Sequence, residues 1–255
     1  MEAQYSYQSR IVCFIDILGF ANRVKQTIKN TEESKQLLDS TYRALAFFAE
    51  CKTILMDNAK VKDMQITQFS DSIVISFPSE NGSDLYLSLA LIKYIQVSVL
   101  REFGILLRGG IVIGDLIHND KILVGPAMIA AYDIESKCAF SPRIVLDPKV
   151  AYRFLGIRKN IEQEDKKRNI VHKDLDDTSY IDYFNIDDNE IYGFDEDARY
   201  DYFRILCQKV AENVNSTDMS IRMKYLWMRN KIKRSTLFKI PKYAAAYKEI
   251  VTDKK

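Results

Sequence analysis

Histidine and cysteine are scarce in this sequence, and their spacing does not suggest a metal centre. The 255 residues include two histidines, His118 and His172, and four cysteines, none of them in a CxxC pair. A zinc site is therefore not expected. No Ser-His-Asp arrangement is present, so a side-chain nucleophile of that kind is not expected either. Cys13 and Cys51 fall in apolar segments and are predicted to be buried free thiols, which are typical of cytosolic proteins.

No charge of one sign dominates the chain. It has 37 basic and 35 acidic side chains and a formal net charge of +2, which favours neither a nucleic acid nor a membrane surface as a partner. The first ten residues, MEAQYSYQSR, have no apolar signal core, and Lys93 and Gln96 interrupt the longest apolar stretch. We therefore expect a cytoplasmic protein in which this stretch is a buried helix.

The succession of apolar segments predicts an α/β chain of the α+β kind. Residues 10–17 are rich in Ile, Val and Phe and predict a buried strand. The strands predicted at 61–69 and 72–77 have so short a connection that they should form an antiparallel hairpin. From the first strand onward, the predicted order of elements is β-α-α-β-β-α-β-β-α-β. Its opening resembles a ferredoxin-like βαββαβ core with a mixed or antiparallel sheet.

Helix ends and the last third of the chain can also be predicted. Thr31 and Ser83 are candidate N-caps of two long helices, and Gly104 should end the second. Residues 158–169 form a charged run that predicts a surface loop or a frayed helix, and a last strand is expected near 180–188. Two or three helices are expected after residue 196, and the basic residues of RNKIKR within them should form a solvated face.

Two acids mark the ends of predicted strands. Asp16 follows the first strand, and Asp71 lies in the hairpin turn. In a βαββαβ core these two points can meet at one edge of the sheet, where two carboxylates repel unless a cation lies between them. Magnesium or manganese would suit such oxygen ligands. Each acid also has a structural interpretation, Asp16 as a helix cap and Asp71 as a turn residue.

A third element is the strand LLRGGIVIGDL. Arg108 precedes Gly109 and Gly110 in a segment that otherwise contains bulky residues. Glycine inside a strand indicates a bulge or the close approach of a ligand or another chain segment, and arginine suits phosphate oxygens. The alternative is a surface arginine paired with Glu102 beside a glycine bulge.

These motifs together resemble the class III nucleotidyl cyclases. FIDILGF is similar to the opening motif of that family, QFSDSIVISF to its second metal-binding motif and LRGGIVIGDL to its arginine-glycine strand. GPAMIAAYDIES stands where the family has a catalytic helix. The version here looks closest to the pyrimidine cyclases of the bacterial Pycsar antiphage systems, through RGGI, AYDIESK, SPRIVLD and KYLWMRN. The resemblance implies a catalytic domain over residues 8–185 and a helical extension over 196–255 packed on it.

The resemblance assigns roles to individual residues. Asp16 and Asp71, with the carbonyl of Ile17, match ligands of two Mg²⁺ or Mn²⁺ ions. The turn after the first strand matches a cradle whose amides bind the β- and γ-phosphates. Arg108 matches a basic residue that reaches the triphosphate. The residues expected to contact substrate are Leu18, Gly19, Phe20, Ala21, Thr67, Phe69 and Arg108.

Three departures from the family pattern matter. Purine-specific members read the base with a lysine and an aspartate, and this chain has Thr67 and Ile122 in those places, which argues for a pyrimidine. The catalytic asparagine and arginine of the family fall at Ile129 and Asp133. Arg143 or Arg108 is expected to replace them as the catalytic cation.

The implied reaction is the conversion of UTP or CTP to the 3′,5′-cyclic nucleotide and pyrophosphate. The resemblance also implies a homodimer and a separate effector activated by the cyclic nucleotide, with no need for nucleic acid or membrane. A nucleotide-binding sensor without activity, a purine cyclase and a purely structural ferredoxin-like module remain alternatives. The missing Asn/Arg pair favours the sensor, and the structural module leaves Asp16 and Asp71 unexplained.

Overall fold

The computed structural model describes residues 5–58, 63–158, 170–186 and 195–252. In these ranges, eight strands form one sheet and eight α-helices pack around it. The strands are β1 (Gln8–Ile17), β2 (Gln65–Phe69), β3 (Ser72–Pro78), β4 (Leu107–His118), β5 (Leu123–Val124), β6 (Ile144–Leu146), β7 (Val171–Lys173) and β8 (Ser179–Ile181). The helices are α1 (Phe20–Thr27), α2 (Glu32–Asn58), α3 (Gly82–Phe103), α4 (Pro126–Cys138), α5 (Pro148–Arg158), α6 (Glu196–Asn213), α7 (Met219–Arg234) and α8 (Pro241–Tyr247).

The sheet has the order β2-β3-β1-β4-β6-β8-β7, and β5 pairs with β4. Strand β1 is antiparallel to both β3 and β4, and β4 is parallel to β6. The first four strands therefore have the ferredoxin-like arrangement, and the prediction of an α+β fold with a mixed sheet is confirmed. Residues from Ile11 to Ile15 are buried on both faces of β1, which explains why this segment does not alternate with polar residues.

Odd- and even-numbered residues of β1 enter two different cores. Ile11, Cys13 and Ile15 pack in a core with residues of α2 and α3. Val12 and Phe14 face α4 on the other side of the sheet. A third core joins α6, α7 and α8 to the segment around β8. Helix α3 is long and apolar enough to cross a membrane, but 61% of its most apolar window is buried in these cores.

Most predicted helix ends agree with the structure. Thr31 Oγ1 accepts a hydrogen bond from the Ser34 amide at 3.2 Å, and Gly104 ends α3 with a left-handed φ of 63°. The predicted N-cap at Ser83 is wrong, because Asn81 and Asp84 form a reciprocal capping box two residues earlier.

Other local predictions have mixed outcomes. Cys13 and Cys51 are buried free thiols, as predicted, and burial raises the pKa of Cys51 to about 12. Helix α5 was not predicted, and β8 ends at Ile181, well before residue 188. Of the charged run at 158–169, Arg158 ends α5, and residues 159–169 lie outside the described residues.

The glycine pair in β4 permits a close approach of α4. A Cβ atom added to Gly110 would lie 2.4 Å from the Ala131 carbonyl oxygen and 2.8 Å from Ile134 Cβ. At Gly109 the added atom would lie 2.4 Å from the Phe14 carbonyl oxygen of β1. A side chain at either glycine would clash with a neighbouring backbone oxygen. The glycines therefore mark the close approach of other chain segments, one of the two interpretations that the sequence offered.

Gly110→Ala should lower the free energy of unfolding by about 1–3 kcal/mol, because the new methyl group must displace a helix backbone. Gly114→Ala is the matched control in the same strand, since its Cβ would lie 3.2 Å from the Ala127 Cβ, a much milder contact than the 2.4 Å at Gly110. We expect it to cost less than about 1 kcal/mol. Urea unfolding measures both, and equal losses would contradict the close contact at Gly110.

Candidate active site

Strand pairing places Asp16 and Asp71 side by side. Asp16 is opposite Ser72 of β3, directly after the turn that contains Asp71. The amide of Ile17 donates to the Asp71 carbonyl oxygen at 3.1 Å, which fixes the turn against the end of β1. Strands β2 and β3 form the predicted antiparallel hairpin, and Ser70 takes a positive φ of 57° in its turn. The sequence thus anticipated the meeting of these two acids.

Arg108 lies opposite Asp16 on β4 and joins it to a third carboxylate. Its Nε atom is 2.9 Å from Asp16 Oδ2 and 2.8 Å from Glu135 Oε1. The Nε atom carries one hydrogen, and the hydrogen bond goes to Asp16. Arg108 is therefore not the surface partner of Glu102 that the alternative interpretation required.

Glu135 is the residue of this site that sequence reasoning missed. It lies on α4 and is 3% exposed, and its Oε1 atom has no hydrogen-bond donor in the described structure. Ala127, Ala131 and Glu135 follow at intervals of four, so all three face the sheet. The sequence signal that could have identified Glu135 is an acid on the helix face that otherwise presents the small residues Ala127 and Ala131 to the sheet.

Burial and mutual repulsion raise the pKa values of two acids of the site, Asp16 and Glu135. Burial raises the pKa of Asp16, Arg108 opposes this rise, and the nearby charge of Asp71 adds to it. Burial also raises the pKa of Glu135, which Arg108 opposes and Asp16 reinforces. Arg108 thus contacts two carboxylates while a third, that of Asp71, lies near Asp16, and the site as a whole favours an additional cation.

The donor set fits a hard divalent ion. Asp16 and Asp71 offer carboxylate oxygens, which magnesium and manganese prefer. Burial is the main cause of the raised pKa of Asp16, and a cation between the two acids would relieve the repulsion from Asp71 that adds to it. Among the described residues, no group of three or more His, Cys, Asp or Glu side chains is arranged as a metal cluster. Asp16 and Asp71, with the backbone carbonyl predicted at Ile17, are the ligand set that the described residues offer at this site.

The turn after β1 offers fewer free amides than predicted. The Leu18 amide already donates to the Leu106 carbonyl oxygen at 2.9 Å, so its predicted use as a phosphate donor is wrong for this conformation. Gly19 precedes α1 with a φ of 77°, and no side chain caps this helix. Phe20 and Ala21 begin α1, where amides have no partner within the helix. These three residues remain the predicted phosphate cradle.

Thr67 and Phe69 lie on the same face of the sheet as Asp16. In the register, Phe69 pairs with Ser72, and Thr67 pairs with Val74 of the α4-facing core. Phe69 is exposed, whereas Thr67 is half-buried and its Oγ1 atom is 2.8 Å from His118 Nε2. Both are placed where a ligand that extends from Asp16 across this face would meet them.

Arg143 lies elsewhere, and its predicted catalytic role needs correction. Its guanidinium is 4% exposed and donates to Asp174 at 2.7 Å and to Asp176 at 2.6 Å. Trp227 of α7 donates to Asp174 at 2.7 Å, and Lys231 forms an ion pair with the same carboxylate. Contact with a substrate would break two ion pairs, so we assign Arg143 a structural role. The solvated face predicted for RNKIKR is also wrong at Lys231, which is buried.

Of the residues that replace the expected base-reading and catalytic groups, Ile122, Ile129 and Asp133 lie at the surface. Ile122 is exposed in the connection before β5, and Ile129 is exposed on α4. Asp133 forms an ion pair with Lys137 one turn further along α4, at 2.9 Å. Arg108 is therefore the one cation from the predicted set that lies beside Asp16 in the described structure.

No protein-family model matches the sequence, and a search of curated protein sequences finds no match. Among solved structures, the chain is similar to the adenylyl cyclase CyaB from P. aeruginosa, with 15% identity and a TM-score of 0.44. That likeness covers 59% of this chain and 82% of the cyclase. It is also similar to the monomeric guanylyl cyclase domain of the RhoGC fusion protein from the aquatic fungus Blastocladiella emersonii. The identity is 15% and the TM-score 0.48, over 69% of this chain and 96% of that domain.

A third similar structure is a class III adenylyl cyclase-like ATP-binding protein from Pseudomonas aeruginosa. Its identity is 15% and its TM-score 0.40, over 58% of this chain and 35% of that protein. Likenesses of this size do not decide what the present chain does. Its activity has to be inferred from the residues of its own site.

Asp174→Asn should lower the free energy of unfolding by about 3–5 kcal/mol at pH 7, because it breaks a buried ion pair and leaves Arg143 undercompensated. Burial raises the pKa of Asp174, but hydrogen bonds from Lys231 and Trp227 outweigh this and hold the pKa below its usual range. The stabilisation is thus present above about pH 4 and is lost as the pH falls further, so the two proteins should converge in acid.

Urea unfolding between pH 3 and pH 7 measures this convergence. Asp177→Asn is the control, because its exposed pair with Lys173 should contribute less than about 1 kcal/mol. A constant difference between wild type and Asp174→Asn across this range would contradict the assignment.

Asp16→Asn should leave the metal-free protein at least as stable as wild type at pH 7.5. The raised pKa of Asp16 means that its ionised form is disfavoured in the folded state, so a neutral amide relieves that cost. Saturating Mn²⁺ should raise the melting temperature of wild type by roughly 5–10 °C and that of Asp16→Asn much less. Differential scanning fluorimetry with Asp39→Asn, an exposed acid on α2, provides the control. An equal Mn²⁺ shift in all three proteins would exclude a site at Asp16.

Proposed function

We propose that the protein is a nucleotide cyclase of the class III type, which converts a nucleoside triphosphate to a 3′,5′-cyclic nucleotide and pyrophosphate. The observation that carries this proposal is the meeting of Asp16 and Asp71 beside the uncapped start of α1. Carboxylates suit divalent cations, and helix N-terminal amides suit phosphate. A triphosphate with its metal ions requires both at one place.

Asp16, Asp71 and the carbonyl of Ile17 would hold two Mg²⁺ or Mn²⁺ ions. When bound, such ions make the ribose 3′-hydroxyl more acidic and neutralise triphosphate charge. Arg108 would turn from Asp16 toward the triphosphate, and Glu135 would keep the guanidinium at the site. The amides of Gly19, Phe20 and Ala21 would orient the outer phosphates.

The reaction exchanges one phosphorus–oxygen bond for another and releases the proton of the 3′-hydroxyl. The 3′-oxygen attacks the α-phosphorus as the bond to the β-phosphate oxygen breaks, and the hydroxyl proton leaves to solvent. No protein side chain becomes covalently attached. This chemistry agrees with a chain that has two histidines and no nucleophile arrangement.

The substrate we propose is UTP or CTP. Thr67 and Ile122 cannot reproduce a lysine and aspartate that read a purine edge, and the half-buried Thr67 suits a smaller polar contact. By resemblance to the antiphage pyrimidine cyclases, the product would be a second messenger for a separate effector. A homodimer fits the exposed apolar side chains of Ile122, Val124 and Ile129 around α4, a surface typical of protein contacts.

A nucleotide-binding sensor without turnover is the second candidate. The observation that favours it is the pairing of Arg108 with two carboxylates, while Ile129 and Asp133 provide no other cation. Such a protein would bind a triphosphate through the same turn and signal by a change of conformation or assembly.

Incubation of the pure protein with each of the four nucleoside triphosphates and Mn²⁺ tests the proposal. We expect cyclic UMP or cyclic CMP by mass spectrometry, and no product above background from Asp16→Ala or Asp71→Ala. Asp39→Ala, an exposed acid far along α2, should retain wild-type activity.

Product from ATP or GTP alone would leave a cyclase but refute the pyrimidine assignment. Tight binding without product from any triphosphate would support the sensor. Undiminished activity in both aspartate variants would refute the metal-dependent mechanism.

A further inference from the structure

The Nε atom of Arg108 has two carboxylate oxygens within reach and a single hydrogen to donate. Asp16 Oδ2 lies 2.9 Å from Nε and Glu135 Oε1 lies 2.8 Å from it, and the hydrogen bond goes to Asp16. Glu135 Oε1 is buried and has no donor among the described residues. A buried acceptor without a donor is unfavourable. Glu135 is therefore a second acceptor for the same hydrogen.

Arg108 is held at the site through Nε. Within the described ranges, its two terminal amino groups form no hydrogen bond or ion pair with the protein, and its side chain is 30% exposed. Because both acceptor oxygens lie almost equally far from Nε, a small rotation of the guanidinium is enough to transfer the hydrogen from one carboxylate to the other.

The two carboxylates lie on elements that cannot move apart easily. Asp16 belongs to the central strand and is paired on both sides, with Ser72 and with Arg108 itself. Glu135 is 3% exposed and lies one turn after Ala131, whose carbonyl packs against the bare Cα of Gly110. The guanidinium is therefore the part of this cluster that is free to change its position.

Arg108 and a metal ion would compete for Asp16. A guanidinium that donates to one oxygen of a carboxylate and a divalent cation bound to the same carboxylate repel each other at short range. The contact between Arg108 and Asp16 in this structure therefore opposes metal binding. Transfer of the Nε hydrogen to Glu135 would remove this opposition and would still leave the guanidinium with a carboxylate partner.

We propose that Glu135 is a positioning residue that permits metal binding at Asp16 by accepting the Nε hydrogen of Arg108. With the hydrogen on Asp16, Arg108 is an inhibitory contact. With the hydrogen on Glu135, the Asp16 carboxylate is released and the guanidinium stays beside it. This inference rests on the proposed function for its ligand, a divalent cation held by Asp16, and it adds a means of regulation to that site.

A simpler explanation is that Glu135 attracts the cation only by its negative charge. Such an attraction acts through space and does not require Arg108. The proposed transfer does require it, because Glu135 then acts on the metal ion only by displacing Arg108 from Asp16. A double-mutant cycle between Glu135 and Arg108 distinguishes the two explanations.

The first test is Mn²⁺ affinity, measured from the electron paramagnetic resonance signal of the free ion. Glu135→Gln should weaken Mn²⁺ binding about tenfold, because a neutral amide is a poorer acceptor and leaves the guanidinium on Asp16. Arg108→Met should bind Mn²⁺ more tightly than wild type. In the Arg108→Met background, Glu135→Gln should change the Kd less than about threefold.

Asp133→Asn is the matched control, since it removes an acid from the same helix that is paired with Lys137 at the surface. It should bind Mn²⁺ as wild type does. Equal changes in both backgrounds would show that Glu135 acts by its charge alone and would overturn the proposal. Wild-type Mn²⁺ affinity in Glu135→Gln would overturn it as well.

The second test needs no variant. In a crystal structure of the wild-type protein with Mn²⁺ located by its anomalous scattering, we expect Nε to donate to Glu135 and to lie more than about 3.5 Å from Asp16 Oδ2. An Nε atom that still donates to Asp16 while Mn²⁺ is bound to the same carboxylate would contradict the transfer.

The outcomes separate this inference from the cyclase itself. If Mn²⁺ binding shows the expected coupling but no triphosphate is cyclised, the cyclase fails and the inference stands. If a cyclic product forms and is lost in Asp16→Ala, while Glu135→Gln binds Mn²⁺ as wild type does, the cyclase stands and the inference fails. Absence of Mn²⁺ binding to wild type overturns the inference, and the product assay then decides about the cyclase independently.

Discussion

The candidate site depends on how closely α4 can approach β4. The missing side chain of Gly110 lets the Ala131 carbonyl come within a distance that any Cβ would forbid. One turn further along, Glu135 then meets Arg108, and Arg108 meets Asp16 at the end of the central strand. A clash at Gly110 would therefore affect helix packing and site electrostatics together, because the same helix contributes to both.

Two charged clusters in the protein differ in how many basic side chains face their acids. This difference distinguishes a cluster that stabilises the fold from one that is suited to a ligand. Around Asp174, the carboxylates are matched by Arg143 and Lys231, and Trp227 supplies a further donor. That cluster is balanced in charge and joins α7 to the segment between β7 and β8. Around Asp16, one arginine pairs with two acids while Asp71 lies near Asp16, and Glu135 keeps an oxygen without a donor among the described residues. An unbalanced cluster next to open amides is suited to a ligand with cations, whereas a balanced one mainly stabilises the fold.

Much of the fold could be predicted because it follows from local pattern. The strand at 10–17, the hairpin around Asp71 and the helix ended by Gly104 each reflect a property of a short segment, such as apolar content or a turn residue. Predictions that failed involved competition between neighbouring groups. Asn81 replaced Ser83 as a cap because Asp84 returns its hydrogen bond, and the Leu18 amide was taken by the carbonyl of Leu106, the residue before β4.

By itself, the sequence determined that two acids end neighbouring strands and that a glycine pair follows an arginine, because strand order fixes which ends meet. Only the tertiary structure decided which arginine faces Asp16 and that Glu135 joins them. It also decided that Arg143 belongs to a different cluster. These are contacts between segments distant in the chain, and they depend on side-chain direction and packing distance, which no local pattern encodes.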